Sequence, residues 1–140
     1  MNQQYGYIRI SPKNKDIDQR IKALNEFSTE IKVFVETHVR GKVPLNDRPQ
    51  FQLLKQELQS GDELVVWWLN DFGREFDECH QQIEALLAEG ITVKTVNQSL
   101  VFCAGNSISD ALLRLLKGYA EHGVHRRLMA AHLGRKALQQ

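Results

Sequence analysis

Short runs of apolar, β-branched and aromatic residues alternate along this chain with stretches whose apolar residues recur every three or four positions. Four runs of the first kind are clear, and a segment of helical period follows each of them except at the loop after the second. The alternation predicts βαβ units, in which a crossover forces successive strands to run parallel. We therefore expect an α/β fold: a mainly parallel sheet of four to five strands, with helices on both faces and a long C-terminal helix.

Turn residues and changes of period set the expected boundaries of these elements. Strands are predicted at residues 5–10, 31–36, 63–69 and 91–96, with a short fifth at 99–103. Helices are predicted at residues 16–28, at 49–59 with proline in the first turn, and from 76 to 90 with Phe76 among the apolar residues that line it. Residues 37–47 lack periodicity and predict a loop.

The last stretch of helical period begins near Ser107 or Ser109, either of which suits an N-cap, and extends to about Ala137. Its first half carries five large apolar residues: Ile108, Leu112, Leu115, Leu116 and Tyr119. A helix this apolar packs against something, and we interpret it as a dimer interface; the alternative is a helix folded back onto its own sheet. Residues 1–106 form the expected core, residues 107–140 a helix of the same domain, and no helix-turn-helix domain is expected.

Charge is distributed unevenly along the chain. Residues 107–140 hold six basic and two acidic residues, a net charge of +4, whereas the whole chain has a net charge of +1. A basic helix on a slightly acidic body suits contact with a DNA phosphate backbone. The residues expected to make that contact are Arg126, Arg127, Arg135 and Lys136. The alternative is that basic residues simply favour the carboxyl end of a helix dipole.

Several classes of protein are excluded by what the sequence lacks. No apolar run approaches the roughly 20 residues of a membrane span, and no secretory signal precedes the first strand, so a cytoplasmic protein is expected. Cys79 and Cys103 have no metal-ligand spacing and are expected to be free thiols. No glycine-rich phosphate loop follows any strand. We therefore expect neither a metal nor a nucleotide cofactor.

The first strand delivers Arg9 and Ser11, two residues apart on one face, to its carboxyl end. In an open parallel sheet that end is where ligands bind. A serine beside an arginine lacks the histidine base that acyl transfer needs. The pair suits phosphate, because the fixed fork of a guanidinium matches phosphate oxygens.

Four segments of the chain carry longer patterns at consistent spacing. They are Tyr7–Ser11 (Y-x-R-x-S), Asn46–Pro49 (N-D-R-P), Gly61–Arg74 (a G-D-x-L-x-V block that ends in L-N-D-F-G-R) and, less completely, Ala120–Glu121. In order and spacing, over about residues 5 to 135, they resemble the resolvase/invertase family of serine site-specific recombinases. The resemblance implies a resolvase-like catalytic domain that cleaves and rejoins DNA through a phosphoseryl intermediate.

The resemblance also implies roles for individual residues and partners. Ser11 would be the nucleophile, and Arg9, Arg48 and Arg74 would hold the phosphate and offset the charge that develops on its oxygens. The implied partners are double-stranded DNA and a second copy of the chain, as a homodimer through the C-terminal helix and a tetramer on DNA. No membrane is implied.

The chain departs from the family pattern inside the third of these segments, Gly61–Arg74. Asp71 stands where the family has an arginine, and Asn70 where it has an aspartate. A carboxylate facing the phosphate would repel it, so Asp71 is expected to cripple cleavage and Asp71→Arg to restore part of it. Arg40, before Gly41, stands where the family has a serine and would return a cation. Whether the chain is an enzyme is therefore open: the alternative is a catalytically inactive recombinase-fold protein that acts as a DNA-associated regulator or assembly partner.

Overall fold

A five-stranded sheet forms the centre of the protein, as shown by a computed structural model that describes residues 3–10, 17–27, 30–73 and 75–121. The strands are β1 (Gln4–Arg9), β2 (Lys32–Glu36), β3 (Glu63–Val66), β4 (Thr92–Thr95) and β5 (Val101–Phe102). Their order across the sheet is β2-β1-β3-β4-β5, and only β5 runs antiparallel to its neighbour. The predicted α/β class and mainly parallel sheet are confirmed.

Helices cover both faces of this sheet, also as predicted. They are α1 (Ile17–Phe27), α2 (Pro49–Glu57), α3 (Phe76–Ala88) and α4, which is helical from residue 107 to residue 121. On one face, Leu24 of α1 packs with Ile8 and Val65. On the other, the alternate residues of the same strands pack with α2, α3 and α4 in a larger core. Two-sided burial explains why β3 is apolar from Leu64 to Val66.

Strand β3 ends three residues earlier than its apolar run indicates. The run continues through Trp67, Trp68 and Leu69, but regular pairing stops at Val66 and a 3-10 turn occupies Leu69–Asp71. The amides of both tryptophans donate to the Asp71 carboxylate instead of to a neighbouring strand. Hydrophobicity predicts that these residues are at least partly buried, but not that a downstream carboxylate captures their amides.

Asn106, rather than either predicted serine, caps the start of α4. Its Oδ1 accepts the backbone N–H groups of Ile108 and Ser109 at 2.9 and 3.1 Å. Ser109 serves the sheet instead: its buried Oγ accepts the Cys103 N–H and donates to the Val101 carbonyl. The cap therefore lies one residue before Ser107 and three before Ser109, the two predicted positions, and Ser109 ties α4 to β5.

Helix α4 both folds back on its own sheet and leaves an apolar stripe exposed. Leu113, Leu116 and Ala120 are buried, and the two leucines belong to the main core. Ile108, Leu115 and Tyr119 are more than half exposed. The fold-back alternative is therefore correct for one side of the helix, and Leu116 is a core residue rather than a free interface residue. Within the described residues, no helix is long and apolar enough to cross a membrane.

Phe76 also departs from its expected place. It is half exposed and packs against Tyr119 with ring centroids 6.1 Å apart, instead of entering the core. The start of α3 lies beside α4 at this point. The two rings extend the exposed stripe of α4 onto a second helix.

We predict that Asn106→Ala lowers the free energy of unfolding by about 1 kcal/mol, because two N–H groups at the start of α4 lose their acceptor. Urea denaturation followed by circular dichroism measures the change. The matched control is Ser107→Ala, an exposed neighbour that should change stability by less than about 0.5 kcal/mol. Equal effects of the two substitutions would show that Asn106 is not the cap.

Candidate active site at the carboxyl ends of the strands

The strand order creates a crevice between the carboxyl ends of β1 and β3. The chain passes from β1 outward to β2 and then returns to β3 on the opposite side of β1. Connections that diverge in this way leave the ends of the two central strands uncovered, which is where open α/β sheets bind ligands. Arg9 closes β1 at this crevice, and the Trp67–Asp71 segment follows β3.

Arg9 reaches under the loop that follows β2. Its Nη1 donates to the Val39 carbonyl at 3.3 Å, whereas its Nε is buried and has no hydrogen-bond partner among the described residues. A Cβ atom on Gly41 would lie 3.2 Å from Nη2, so glycine permits this close approach. Burial and then the charge of Arg48 lower the pKa of Arg9. A partly buried guanidinium with a spare, buried donor, next to another cation, is suited to an anion.

Arg48 lies in the same place but is completely buried. Its Nε donates to the Val43 carbonyl at 3.0 Å and its Nη2 to the Gly41 carbonyl at 3.3 Å. Its Nη1 donates to the Asp71 carbonyl at 2.7 Å and to the Tyr7 hydroxyl at 3.4 Å. Most of its donors are therefore used to hold the β2–α2 loop and the β3 turn together.

A glutamate that the sequence analysis missed completes this network. Glu36, buried at the end of β2, accepts the Tyr7 hydroxyl at 3.2 Å and the backbone N–H groups of Gln50 and Phe51 at the start of α2. Burial raises the pKa of Tyr7, so its hydroxyl stays protonated and donates to the carboxylate. The signal in the sequence was an acidic residue at the end of an apolar, buried strand, a position where a charged side chain is unusual.

Asp71 is the acceptor that joins the two central strands. Its carboxylate is 1% exposed and accepts the Arg9 N–H at 3.2 Å through Oδ1, and the Trp67 and Trp68 N–H groups at 3.0 and 3.2 Å through Oδ2. Burial raises its pKa to about 6, against the opposing effect of these three amides and of the Arg20 charge. The carboxylate is thus turned inward, onto backbone.

This geometry corrects the physical reasoning about Asp71. We expected a carboxylate that faces the phosphate, and the structure shows both of its oxygens bound to main-chain amides. An arginine at this position would leave three partly buried N–H groups without their acceptor and add a cation beside Arg9 and Arg48. The expected partial gain from Asp71→Arg is therefore replaced by an expected loss of structure.

The structure brings together two of the four predicted catalytic residues. Arg9 and Arg48 both contact Gly41, and both bind Asp71, one through its carboxylate and one through its carbonyl. Arg40 is exposed. Ser11 and Arg74 lie outside the described residues, as do all four predicted DNA-contacting residues, Arg126, Arg127, Arg135 and Lys136. Their roles remain predictions.

A third arginine at this rim, the buried Arg20, was also missed. It lies in α1, is 7% exposed, and its guanidinium carbon is 4.6 Å from the ring centroid of Trp68. The sequence did contain a signal. Arg20 follows Ile17 by three positions and precedes Leu24 by four, so it lies on the apolar face of the helix.

The fold and this rim define a parallel α/β domain with buried arginines at the carboxyl ends of its central strands. The family model described as "Resolvase, N terminal domain" matches residues 4–140. The chain therefore belongs to the resolvase N-terminal domain family, and the resemblance inferred from its motifs is confirmed.

Individual relatives agree with this assignment at low identity. The chain is 25% identical over 116 residues to the transposon Tn552 resolvase of Staphylococcus aureus, covering 83% of this chain and 57% of the relative. It is 23% identical over 132 residues to the transposon Tn3 resolvase of Escherichia coli, covering 94% and 69%. It is 28% identical over 95 residues to serine recombinase PinQ of Escherichia coli K12, covering 66% and 48%. The chain thus spans only part of these proteins.

Solved structures show the same fold. A resolvase family site-specific recombinase from Streptococcus pneumoniae superposes with a TM-score of 0.69 at 14% identity, covering 97% of this chain and 99% of the other. The N-terminal catalytic domain of TP901-1 integrase superposes with a TM-score of 0.65 at 16% identity, covering 90% and 98%.

Among the described residues, no group of three His, Cys, Asp or Glu side chains is placed to hold a metal ion.

We predict that Asp71→Arg destabilises the protein by about 3 kcal/mol or more, because it removes the acceptor of three partly buried amides and places a cation at a buried position beside two others. Urea denaturation monitored by tryptophan fluorescence measures the effect. Asn70→Ala, at the exposed preceding residue, is the control and should change stability by less than about 0.5 kcal/mol. An Asp71→Arg protein as stable as wild type would contradict the inward orientation of this carboxylate.

Proposed function

We propose that this chain is the catalytic domain of a serine recombinase that cleaves and rejoins DNA through Ser11. The observation that supports the proposal most strongly is Arg9: a partly buried guanidinium whose buried Nε has no hydrogen-bond partner within the described residues, at the crevice between the central strands and two residues before the serine. Family membership supplies the reaction class, and the arginine supplies the local chemistry. A phosphodiester oxygen is an acceptor that this donor fits.

The proposed reaction begins when Ser11 Oγ loses its proton and attacks phosphorus. A P–O bond to Ser11 forms, the P–O bond to one deoxyribose oxygen breaks, and that oxygen leaves with a proton as a hydroxyl. The pentavalent arrangement carries more negative charge than the diester, so cations fixed in advance stabilise it better than mobile water does. Attack of a deoxyribose hydroxyl on the phosphoseryl bond then rejoins DNA and releases Ser11.

The same geometry offers support for the second candidate, a catalytically silent family member that acts as a regulator or assembly partner. Arg48 is completely buried, and four of its hydrogen bonds go to protein atoms. As placed, it acts as a structural tie rather than as a phosphate ligand. The positive charge that cleavage requires would then come from Arg9, from Arg74 and from any other cation that approaches the phosphate when DNA binds.

We predict that wild-type protein forms a covalent adduct with a nicked suicide duplex carrying its recombination site, and that Ser11→Ala abolishes the adduct. Arg9→Lys should lower the rate of adduct formation about a hundredfold or more, because lysine cannot present the same fork of donors. The measurement is the protein–DNA band on a denaturing gel. Ser60→Ala, at an exposed serine remote from the crevice, is the control and should leave the band unchanged.

The adduct experiment separates the two candidate functions. A band that survives Ser11→Ala contradicts Ser11 as the nucleophile. No band from any variant, with binding to the same duplex intact, contradicts the enzymatic proposal and supports the silent regulator.

We also propose that two copies of the chain associate through the exposed stripe of α4, and that the basic residues 126, 127, 135 and 136 contact the DNA backbone. The stripe comprises Ile108, Leu115, Tyr119 and the adjoining Phe76, all about half exposed or more. Four large apolar side chains on two adjacent helices form a patch that association would remove from water. The basic residues follow farther along the same stretch of sequence.

We predict that Leu115→Glu combined with Tyr119→Glu converts a self-associating protein into a monomer without unfolding it, since both side chains face outward. Sedimentation velocity at micromolar concentration measures the change. Leu116→Glu serves as the contrasting variant: this buried leucine should unfold the domain instead, with a cost of several kcal/mol. Wild-type protein that sediments as a monomer at all concentrations contradicts the proposed interface.

A further inference from the structure

Arg20 connects α1 to the end of β3 from the opposite face of the sheet to α2 and α3. Its guanidinium carbon lies 4.6 Å from the ring centroid of Trp68 and 5.7 Å from that of Trp67. Both tryptophans are partly buried, and Arg20 itself is 7% exposed. A guanidinium stacked on indole away from water gains more from cation–π attraction than an exposed pair does.

The same two tryptophans donate their backbone N–H groups to Asp71. Their indoles are thus held by Arg20 and their amides by Asp71. The Arg20 charge also helps to hold the pKa of Asp71 down against burial, and it contributes to the lowered pKa of Arg9. The charge of Arg20 therefore affects both Arg9, at the end of β1, and Asp71, which follows β3.

We propose that Arg20 is a positioning residue of the phosphate site, a clamp that stacks on Trp67 and Trp68 and thereby holds their backbone amides on the Asp71 carboxylate, which also binds the Arg9 amide. This inference deepens the proposed function and rests on it for its catalytic consequence. Where the family motif has an arginine, this chain has Asp71; Arg20 supplies a cation to the same rim from a different helix. The burial of Arg20 assigns it to positioning rather than to contact with DNA.

The charged and titratable groups around Asp71 come from four elements. Arg20 belongs to α1, Arg9 to β1, Arg48 to the loop before α2, and Cys79 to α3. Burial raises the pKa of Cys79 to about 12, so the thiol is neutral and adds no charge near neutral pH. Arg9 is the proposed phosphate ligand, and Arg48 holds the β2–α2 loop through its hydrogen bonds. Replacing Arg20 therefore changes the net charge around Asp71 without removing either of these residues.

The first measurement does not depend on activity. The carboxyl carbon resonance of Asp71 is titrated by NMR in wild type, Arg20→Gln, Arg20→Lys and the control Lys22→Gln, an exposed residue of the same helix. The pKa of Asp71, about 6 in wild type, should move upward in Arg20→Gln because the favourable charge is lost. It should stay close to the wild-type value in Arg20→Lys and in the control.

The second measurement is the rate of Ser11–DNA adduct formation as a function of pH. Arg20→Gln should be slowed about tenfold to a hundredfold near pH 6.5, where protonation of Asp71 loosens its hold on the Arg9 amide. The deficit should shrink toward pH 8, where Asp71 is ionised in the variant as well. A loss of rigidity alone would give a deficit that is independent of pH, and Arg20→Lys should recover most of the rate.

The outcomes separate this inference from the proposed function. An unchanged Asp71 pKa in folded Arg20→Gln overturns the clamp, and so does a pH-independent deficit. If Arg20→Gln does not fold, an upward shift of the Asp71 pKa in Arg20→Lys overturns it as well, because that variant keeps the charge. Wild-type protein that forms no adduct, together with an upward shift in Arg20→Gln, supports the clamp and contradicts the enzymatic function instead.

Discussion

The interaction on which this site depends is the binding of one buried carboxylate to three main-chain amides. Asp71 accepts an N–H from the last residue of β1 and two from the residues that follow β3. The two strands are neighbours in the sheet, but their regular pairing ends at Tyr7 and Val66. Beyond these two residues, hydrogen bonds to the Asp71 carboxylate replace the backbone hydrogen bonds between the two strands. It sets the spacing of the crevice and the backbone position from which Arg9 projects.

A second network holds the opposite wall of the crevice. Its three residues are buried: Arg48 donates to the Tyr7 hydroxyl, which in turn donates to Glu36. Glu36 also caps α2 by accepting the amides of Gln50 and Phe51. Burying such groups is favourable only when their donors and acceptors are satisfied, which this arrangement achieves. The loop between β2 and α2 is thereby fixed against the strand ends, where Gly41 allows the Arg9 side chain to pass.

The class of fold and the order of its elements could be predicted from local patterns, because period and turn residues report burial directly. The motifs also predicted that Arg9 and Arg48 lie close together, and both lie beside Gly41 and Asp71. What the sequence did not reveal was the direction of each side chain. Asp71 looked like a charge facing a phosphate because position in a motif does not distinguish an inward carboxylate from an outward one.

Arg20 was overlooked for a related reason: its partners, Trp67 and Trp68, are nearly 50 residues away. The cap of α4 was predicted at Ser107 or Ser109 and lies at Asn106, because asparagine and serine are almost equally good caps.

The central claim is that the Asp71 carboxylate is a structural acceptor for the amides of Arg9, Trp67 and Trp68. Amide hydrogen exchange measured residue by residue by NMR tests it most directly. The account predicts that these three amides, although they lie beyond the last residue pair of β1 and β3, exchange about as slowly as the amide of Val65 in β3, since all require opening of the same core. Exchange of the Trp67 and Trp68 amides as fast as that of the exposed Asn70 would contradict it.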